Sequence, residues 1–357
     1  MRKTILLCWG WVFALGAGGA AAETAGVTRA DLQRVYEEVK TPFKYGVILR
    51  GSEKELLDCP SVFRFGESWF MVYVAIKDTV GYETFLAEST DLLHWQPRGR
   101  ILSFPKIGWD AWQVDGGMAL IDPAWGGAAR PETHAGKYWL SYIGGAKQGY
   151  EPDPLAIGMA WTTTPDRPVE WTRHAQNPVL SPSQPEARAY ENVTLYKSTI
   201  IRDADRTLGH PFVMFYNAKT KFGKVSHEAI GMAVSDDMVN WRRFGAEPVV
   251  DNAPGQAAIS GDPQIVKMGD LWVMFYFGHR WKPKAFDTFA VSRDLVHWTK
   301  WDGAHLIEPS EPWDQTFAHK PWVLKHAGVV YHFYCAVGDQ GRVIALATSK
   351  DLKPTAP

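Results

Sequence analysis

One sequence pattern recurs five times along this chain of 357 residues, and a repeat constrains the fold more than any other feature. The pattern is an alternating apolar strand followed by Ser or Thr, any residue, Asp, an apolar residue, two further residues and Trp. An aromatic-rich alternating strand precedes each copy, so the repeating unit consists of several antiparallel strands. The copies lie at residues 85–95, 157–171, 230–241 and 289–298, with a truncated copy at 345–352.

The repeat predicts an all-β fold, a five-bladed β-propeller that occupies residues 44–357. The Trp residues that end the first four copies stand 76, 70 and 57 residues apart, which suits four-stranded blades with loop insertions. A β-sandwich also has many short strands, but it does not require five copies of one pattern. We expect these Trp side chains to pack between blades, and residues 44–49 to close the ring against the fifth blade.

The first residues predict export from a bacterial cell. Residues 1–22 combine a basic start, an apolar stretch too short to span a bilayer and a run of small residues, which indicates a signal peptide. We therefore expect a periplasmic or extracellular protein that is not inserted in a membrane. Residues 23–43 form an N-terminal helical segment, in which Arg29 to Val39 have the pattern of a short amphipathic helix.

Composition narrows the range of partners. The formal net charge is −1 with both signs interspersed, which argues against a nucleic-acid partner. Aromatic residues make up 13% of the chain and include 17 Trp, which suits a surface that stacks against the apolar faces of sugar rings. Cys59 and Cys335 either form a disulfide or remain buried thiols, and the sequence leaves both alternatives open.

Alignment of the predicted innermost strands by their apolar pattern places acidic residues at the centre of the ring. Converging carboxylates repel one another and lose hydration, and this energetic cost indicates that they have a function or bind a cation. A single Asp at such a position is explained by local backbone capping, but four acids in repeat-equivalent positions indicate a functional centre. The leading residues are Asp58, Asp115, Glu191, Gly261 and His319, with Asp262 one place after Gly261.

The chain resembles the five-bladed propeller glycosidases of families 32, 43, 62, 68 and 117 and the mannoside phosphorylases of family 130. Residues 58–64, followed by residues 69–73, are similar to the first-blade signature of family 43. The Ser-x-Asp-Leu-x-x-Trp ending is shared by these families. The likeness covers most of the chain from about residue 44, and it implies an enzyme that acts on carbohydrate in a central acidic funnel.

The resemblance also implies roles for the central residues. Asp58 would be the general base, Asp115 would orient and tune its partners, and Glu191 would be the general acid. Family 43 enzymes follow the acid with Gly-Pro, whereas Asn and Val follow Glu191, and family 117 implies His319 as the acid instead. In family 43 the residue matching His319 binds a central divalent cation such as calcium; no other cofactor is implied. Family 117 further implies a homodimer formed through the N-terminal helix.

Cleavage of a glycoside needs a protonated acid at the leaving oxygen and an ionised carboxylate on the opposite face of the sugar. A separation of roughly 6.5–9.5 Å between the two favours inversion, and such a distance is natural across a funnel. Other residues near the predicted funnel are candidates for sugar stacking, for hydrogen bonding or for binding an acidic group. The substrate-binding candidates are Tyr82, Trp109, Asp110, Trp112, Asp262, Trp313, His319 and Lys320.

We therefore predict an exo-acting, inverting glycoside hydrolase that acts on a plant or algal oligosaccharide or polysaccharide. Two alternatives stay open. A glycoside phosphorylase would hold phosphate with a basic pair such as His319 and Lys320. A non-catalytic carbohydrate-binding propeller would keep the acids but release no product, because a propeller fold does not by itself define a function.

Overall fold

The computed structural model of the protein describes residues 26–353, so the predicted signal peptide lies outside the described residues. In this range one α-helix, α1 (Arg29–Val39), precedes twenty strands, and the helix is neither long nor apolar enough to cross a membrane. The strands are β1 (Phe43–Leu49), β2 (Glu55–Phe65), β3 (Ser68–Lys77), β4 (Tyr82–Ser89), β5 (Gln96–Leu102), β6 (Gln113–Met118), β7 (Tyr138–Gly145), β8 (Ala156–Thr162), β9 (Thr172–Arg173), β10 (Thr194–Arg202), β11 (Phe212–Phe222), β12 (Val225–Ser235), β13 (Arg242–Arg243), β14 (Ile259–Met268), β15 (Leu271–His279), β16 (Ala285–Ser292), β17 (Thr299–Lys300), β18 (Phe317–His326), β19 (Val329–Gly338) and β20 (Gly341–Thr348).

The strands form five antiparallel groups of four. The first four groups follow chain order, namely β2 to β5, β6 to β9, β10 to β13 and β14 to β17. The fifth group combines β18, β19 and β20 with β1 from the start of the chain. The predicted closing strand, residues 44–49, is therefore confirmed: β1 pairs antiparallel with β20. This pairing ties the two ends of the described chain together, so the last group needs both of them to be complete.

The first strands of the five groups, β2, β6, β10, β14 and β18, contact one another in order, and β18 contacts β2. These inner strands therefore surround a common axis. Their middle residues are buried almost without exception, because each strand lies between its own hairpin partner and the neighbouring groups. Residues near the start of each inner strand consequently lie close to residues from other groups, which positions a shared site.

The repeated Ser-x-Asp motif forms the same turn in three groups. The carboxylate of Asp237 accepts hydrogen bonds from the backbone N–H groups of Val239 and Asn240 at 3.0 and 2.8 Å. Met238 takes a left-handed conformation (φ 68°), and its carbonyl accepts a bond from the Trp241 indole. Equivalent bonds surround Asp91 and Asp294. In these three groups the hydrogen bonds between side chains and backbone fix the turn that leads into the short outer strand.

The Trp residues that end the repeats pack between groups, as the sequence predicts. Trp95 of the first group meets Phe333 of the fifth edge to face, with ring centroids 5.9 Å apart. Trp298 of the fourth group meets Phe215 of the third in the same way at 5.7 Å. Edge-to-face aromatic pairs add to the burial of apolar area, so these side chains hold neighbouring groups together.

Helix α1 packs on its own chain. A capping box between Thr28 and Asp31 starts the helix. Its apolar face, Leu32, Val35 and Val39, lies in a cluster formed by strands of the fourth and fifth groups. The helix that would mediate the expected homodimer therefore buries its apolar face within the chain, and the structure gives no support to exchange between protomers.

We expect Asp237→Ala to lower the free energy of unfolding by about 1 kcal/mol, because two backbone N–H groups lose their acceptor. Asp236→Ala is the matched control, since Asp236 is exposed and its ion pair with His210 contributes little. Urea denaturation of both variants measures the difference. Equal midpoints for the two variants would contradict the role of the turn.

Candidate active site

Bulges in three inner strands aim side chains at the axis. The strand register shifts between Asp58 and Ser61 in β2, and equivalent shifts occur in β14 and β18. At each bulge one residue has a left-handed backbone and is followed by Pro: Cys59 (φ 51°), Asp262 (φ 51°) and Lys320 (φ 62°). The Cys59 thiol lies 3.7 Å from an Asp262 oxygen and 3.6 Å from the Lys320 ammonium. The three repeat-equivalent side chains therefore meet at one point.

These side chains form the floor of a cavity of about 330 Å³. Its wall combines acids, bases and aromatic rings, the mixture expected of a polar ligand site. The acids are Asp115, Glu151, Glu228 and Asp262, the bases are Lys197, Arg280, Lys320 and Arg342, and the aromatic residues include Tyr150, Tyr196, Phe277 and Phe317. Tyr150 stays 45% exposed, so its ring is available at the mouth.

Asp58 lies behind this wall and does not line the cavity. Its carboxylate accepts hydrogen bonds from Arg342 at 2.6 Å, Lys320 at 2.9 Å and Tyr82 at 3.1 Å. Burial by itself would raise the pKa of Asp58, but Arg342 and Lys320 hold the pKa well below its ordinary value. Asp58 is thus a fully buried, permanently charged anchor for two cations, an arrangement that differs from the predicted general base.

Glu191 is also outside the cavity. It lies in a short 3₁₀ turn, Ala189–Glu191, and its buried carboxylate contacts the Arg243 guanidinium, the Tyr216 hydroxyl at 2.5 Å and the Arg188 N–H at 2.9 Å. The bulge of β10 shows why the alignment of the sequence misplaced it. The register shift follows Leu195, so Leu195 and not Glu191 is equivalent to Asp58.

Glu151 reaches the cavity on the loop between β7 and β8. Its side chain is 14% exposed, and Oε1 lies 3.8 Å from the Lys320 ammonium. Asp153 anchors this loop to the third group, because its carboxylate accepts bonds from Lys219 at 2.7 Å and Lys221 at 3.0 Å. The Thr194 hydroxyl donates a further bond to Asp153 at 2.7 Å. This network fixes the direction from which Glu151 enters.

Glu228 comes from β12 of the third group, where it forms the bridge to Ile259. Its Oε2 accepts a hydrogen bond from the Asn217 amide at 3.0 Å. Asn217 in turn has a buried side-chain oxygen without a partner. Neither Glu151 nor Glu228 stands at the head of an inner strand, and for that reason the repeat alignment did not find them.

The cavity environment favours protonated carboxyl groups. Burial raises the pKa of Asp115 to about 7, with Lys320 and Lys197 opposing the rise. Burial likewise raises the pKa of Glu228 to about 7, and the nearby charges of Glu151 and Asp262 add to it. Burial also raises the pKa of Glu151, and the Lys320 ammonium opposes this rise only in part. Carboxyls with a pKa near neutrality are able to give or take a proton under working conditions.

A central cation does not fit this donor set. The Lys320 ammonium already lies among the oxygens of Asp58, Glu151 and Asp262, where a divalent ion would have to bind. Between residues 26 and 353 no three His, Cys, Asp or Glu side chains are arranged to hold a metal ion. His319 lines the cavity, but burial first and then Arg342 lower its pKa to about 3. Its imidazole is therefore neutral at pH 7, which does not suit a general acid.

Four of the predicted site residues line the cavity, namely Asp115, Asp262, His319 and Lys320. Several other candidates contribute to the fold instead. Tyr82 is fully buried and bonds Asp58. The predicted sugar platforms do not line the cavity. Trp109 packs on Tyr142, Asp110 pairs with Arg173, Trp112 packs near Phe104, and Trp313 bonds the Tyr334 hydroxyl.

The two cysteines within residues 26–353, Cys59 and Cys335, are free thiols. Both are fully buried, Cys59 at the cavity floor and Cys335 beside Arg342 at 3.4 Å. Burial raises the pKa of each well above its ordinary value, so the neutral thiol is the form present. Of the two alternatives that the sequence left open, the structure therefore shows buried thiols.

No family model matches the chain. Among curated proteins, the uncharacterized protein Rv1502 of Mycobacterium tuberculosis is 30% identical over 128 residues, which are 34% of this chain and 42% of the relative. The β-1,2-mannobiose phosphorylase of Thermoanaerobacter sp. is 28% identical over 117 residues, which are 30% of this chain and 36% of the relative. These matches thus span less than half the length of either relative.

Solved structures are similar over almost the whole chain. A complex of BT0996 with RGII and a structure named glycoside hydrolase are each 44% identical, with a TM-score of 0.88, over 93% of this chain and 98% of theirs. A family 117 glycoside hydrolase of Zobellia galactanivorans has a TM-score of 0.61 at 15% identity, over 90% of this chain and 94% of its own. At that identity the likeness shows the fold alone.

The fold and the polar axial cavity define a propeller-type glycosidase. With 44% identity to a glycoside hydrolase over nearly the full length of both proteins, this protein belongs to the glycoside hydrolases. The resemblance inferred from the repeat and from the acidic centre is therefore confirmed at the level of the enzyme class.

The raised pKa of Asp115 predicts a specific pH dependence of stability. Between the unfolded pKa of about 3.9 and the folded pKa of about 7, the folded state holds a proton that the unfolded state has lost, so stability falls as pH rises. Between pH 5 and pH 7 we expect the free energy of unfolding of Asp115→Asn to decrease by about 2 kcal/mol less than that of the wild type. Urea titrations at both pH values measure this, with the exposed Asp339→Asn as control. A slope like that of the wild type would contradict the assignment.

Proposed function

We propose that this protein is an exo-acting, inverting glycoside hydrolase whose cavity takes the end of a plant or algal oligosaccharide. The observation that carries the proposal is the set of four carboxyl groups around one cavity, two of them with a pKa of about 7. The five strand groups support a five-bladed propeller, because their inner strands contact one another in a closed series. The N-terminal sequence supports export to the periplasm or beyond.

Glu228 is the proposed general acid. Its pKa of about 7 keeps it partly protonated at neutral pH, and Asn217 orients its carboxyl. Glu151 is the proposed base, since the Lys320 ammonium beside it favours the ionised form. The two residues come from different strand groups, and the proposed inversion requires a separation of roughly 6.5–9.5 Å between their carboxyl groups.

Asp115 and Asp262 are proposed to bind substrate and to shape the charge of the site. They are only 3% and 6% exposed, and both contact the Cys59 thiol at the cavity floor. Buried side chains close this floor, and we propose that the cavity takes a chain end, which corresponds to exo action. Tyr150, at the mouth, offers a ring for the next sugar.

The similarity to a structure whose name includes RGII suggests the first substrate to test. The proposed hydrolase would release a terminal sugar from this carbohydrate. Chromatography of the products, with a panel of plant and algal oligosaccharides run in parallel, identifies the linkage class that the enzyme accepts.

We expect Glu228→Gln to lower kcat by about 10²- to 10⁴-fold, because the amide cannot protonate the leaving oxygen, and to leave the free energy of unfolding almost unchanged. We expect Glu191→Gln to lower stability and to leave kcat almost unchanged. It leaves the buried Arg243 without its anion, which costs about 3–5 kcal/mol, but the folded fraction should keep its turnover. Release of sugar from RGII oligosaccharides and thermal unfolding separate the two outcomes.

The exposed Glu247→Gln variant is the matched control for both, with activity and stability like those of the wild type. Near-normal activity of Glu228→Gln would exclude it as the acid. A fully stable but inactive Glu191→Gln variant would restore Glu191 to the catalytic role that the sequence suggested.

Phosphorolysis is a second candidate, favoured by the partial similarity to a β-1,2-mannobiose phosphorylase and by the cations of the cavity. Two of these cations, Lys320 and Arg342, are however already paired with Asp58. We therefore expect equal rates with and without inorganic phosphate, and ¹H NMR of the first product should show an inverted anomer. Phosphate-dependent release of a sugar 1-phosphate would establish the phosphorylase instead.

A further inference from the structure

Lys197 is a cavity residue whose ammonium group has no protein partner. It is only 9% exposed and it lines the cavity, yet in the described part of the chain it makes no ion pair or side-chain hydrogen bond. The other buried cations of the site differ, because Lys320 and Arg342 both bond Asp58. The Lys197 ammonium therefore faces the cavity with its hydrogen-bond donors free, and an acceptor atom of a ligand in the cavity can bind them.

The third group differs from the others at the position of Lys197. This residue lies in the bulge of β10, where the first, fourth and fifth groups carry Pro60, Pro263 and Pro321. Its aliphatic stem passes over Gly117, at which an added Cβ would stand 3.4 Å from the lysine Cε. The Lys197 stem therefore runs within van der Waals contact distance of the Gly117 position on its way to the cavity.

An acceptor without a partner accompanies this donor. Asp115 Oδ1 is buried and has no hydrogen-bond partner, while Oδ2 lies 3.6 Å from the Cys59 thiol. Lys197 is close enough to oppose the rise in the pKa of Asp115. A free donor and a free acceptor on one cavity wall match a hydroxyl group, which accepts one hydrogen bond and donates another.

The charge balance of the site argues for a neutral ligand. Four carboxyl groups line the cavity and Asp58 lies directly behind it, against four cations. Because Asp115 and Glu228 each have a pKa of about 7 and are partly protonated at pH 7, these charges nearly balance. His319 adds no charge at pH 7, because burial keeps its imidazole neutral. A sugar carboxylate would add one more negative charge beside Asp115 and Glu151, which like-charge repulsion disfavours.

We propose that Lys197 and Asp115 form a hydroxyl-binding pair that selects a neutral sugar at the cavity floor. Lys197 Nζ donates to the sugar oxygen, and that hydroxyl donates to Asp115 Oδ1. The proposal rests on the cavity being the substrate site of the proposed hydrolase. It restricts the terminal sugar to one with a free hydroxyl at this point and disfavours uronic acids.

Binding to the full chain carrying Glu228→Gln tests this pair without turnover. The probes are D-galactose with D-galacturonate, D-glucose with D-glucuronate, and the neutral sugars D-xylose, L-rhamnose and L-arabinose, followed by saturation-transfer NMR and calorimetry. We expect at least one neutral sugar to bind and each uronate to bind at least about 10-fold more weakly than its neutral counterpart. Adding Lys197→Met should weaken neutral binding about 10-fold or more, since one buried acceptor loses its donor.

Lys197→Gln, which keeps a donor without the charge, should recover part of this affinity, and the exposed Lys54→Met is the matched control. Thermal unfolding of each variant verifies folding. The pair is overturned by unchanged affinity in Lys197→Met, by tighter binding of uronates that Lys197→Met removes, or by failure of every neutral sugar to bind. Sugar release by the wild type is measured separately, so loss of the hydrolase proposal and loss of the binding pair give different results.

Discussion

The carboxylate of Asp58 holds two cations, Lys320 and Arg342, at the axis of the molecule, and the site depends on this buried ion cluster. Lys320 comes from the fifth strand group and Asp58 from the first, so the cluster also joins the two groups between which the ring closes. A buried charge is tolerated only when it is paired and hydrogen-bonded, and Asp58 meets both conditions through Tyr82 and its two cations. Although Lys320 is paired with Asp58, it still lies near Glu151 and Asp262 and orders the acids that face the cavity.

Much of the fold follows from the sequence because the repeat records it. The turn that follows the third strand in the first, third and fourth groups needs Ser, Asp and Trp at fixed spacing, since the Asp carboxylate and the Trp indole both bond the backbone of that turn. Helix α1 has the bounds expected from its apolar pattern, Arg29–Val39, and β1 closes the last group as expected. These features are local or periodic, and a single sequence contains both kinds of information.

The site is less predictable because its acids do not share one repeat position. Asp115 and Asp262 were found by aligning inner strands, but the same alignment chose Glu191, since it could not detect the bulge after Leu195. Glu151 and Glu228 stand on a loop and on a third strand, and only tertiary packing brings them to the axis. The one sequence signal for Glu151 was its place beside Tyr150, in a loop that also contains Asp153, one Gly and two Pro residues. For Trp109 and Trp112 the error is the opposite one, a predicted site residue that is not in the site. Both lie near an acid in the sequence, but their rings pack against other aromatic side chains.

The central claim is that Glu228 and Glu151, and not Glu191, face the bond that is cleaved. A crystal structure of Glu228→Gln with an RGII oligosaccharide bound tests it most directly. We expect the residue 228 amide to lie within hydrogen-bond distance of the glycosidic oxygen, with a water held between Glu151 and the anomeric carbon. Sugar bound away from the cavity, or a glycosidic oxygen that contacts neither side chain, would contradict it.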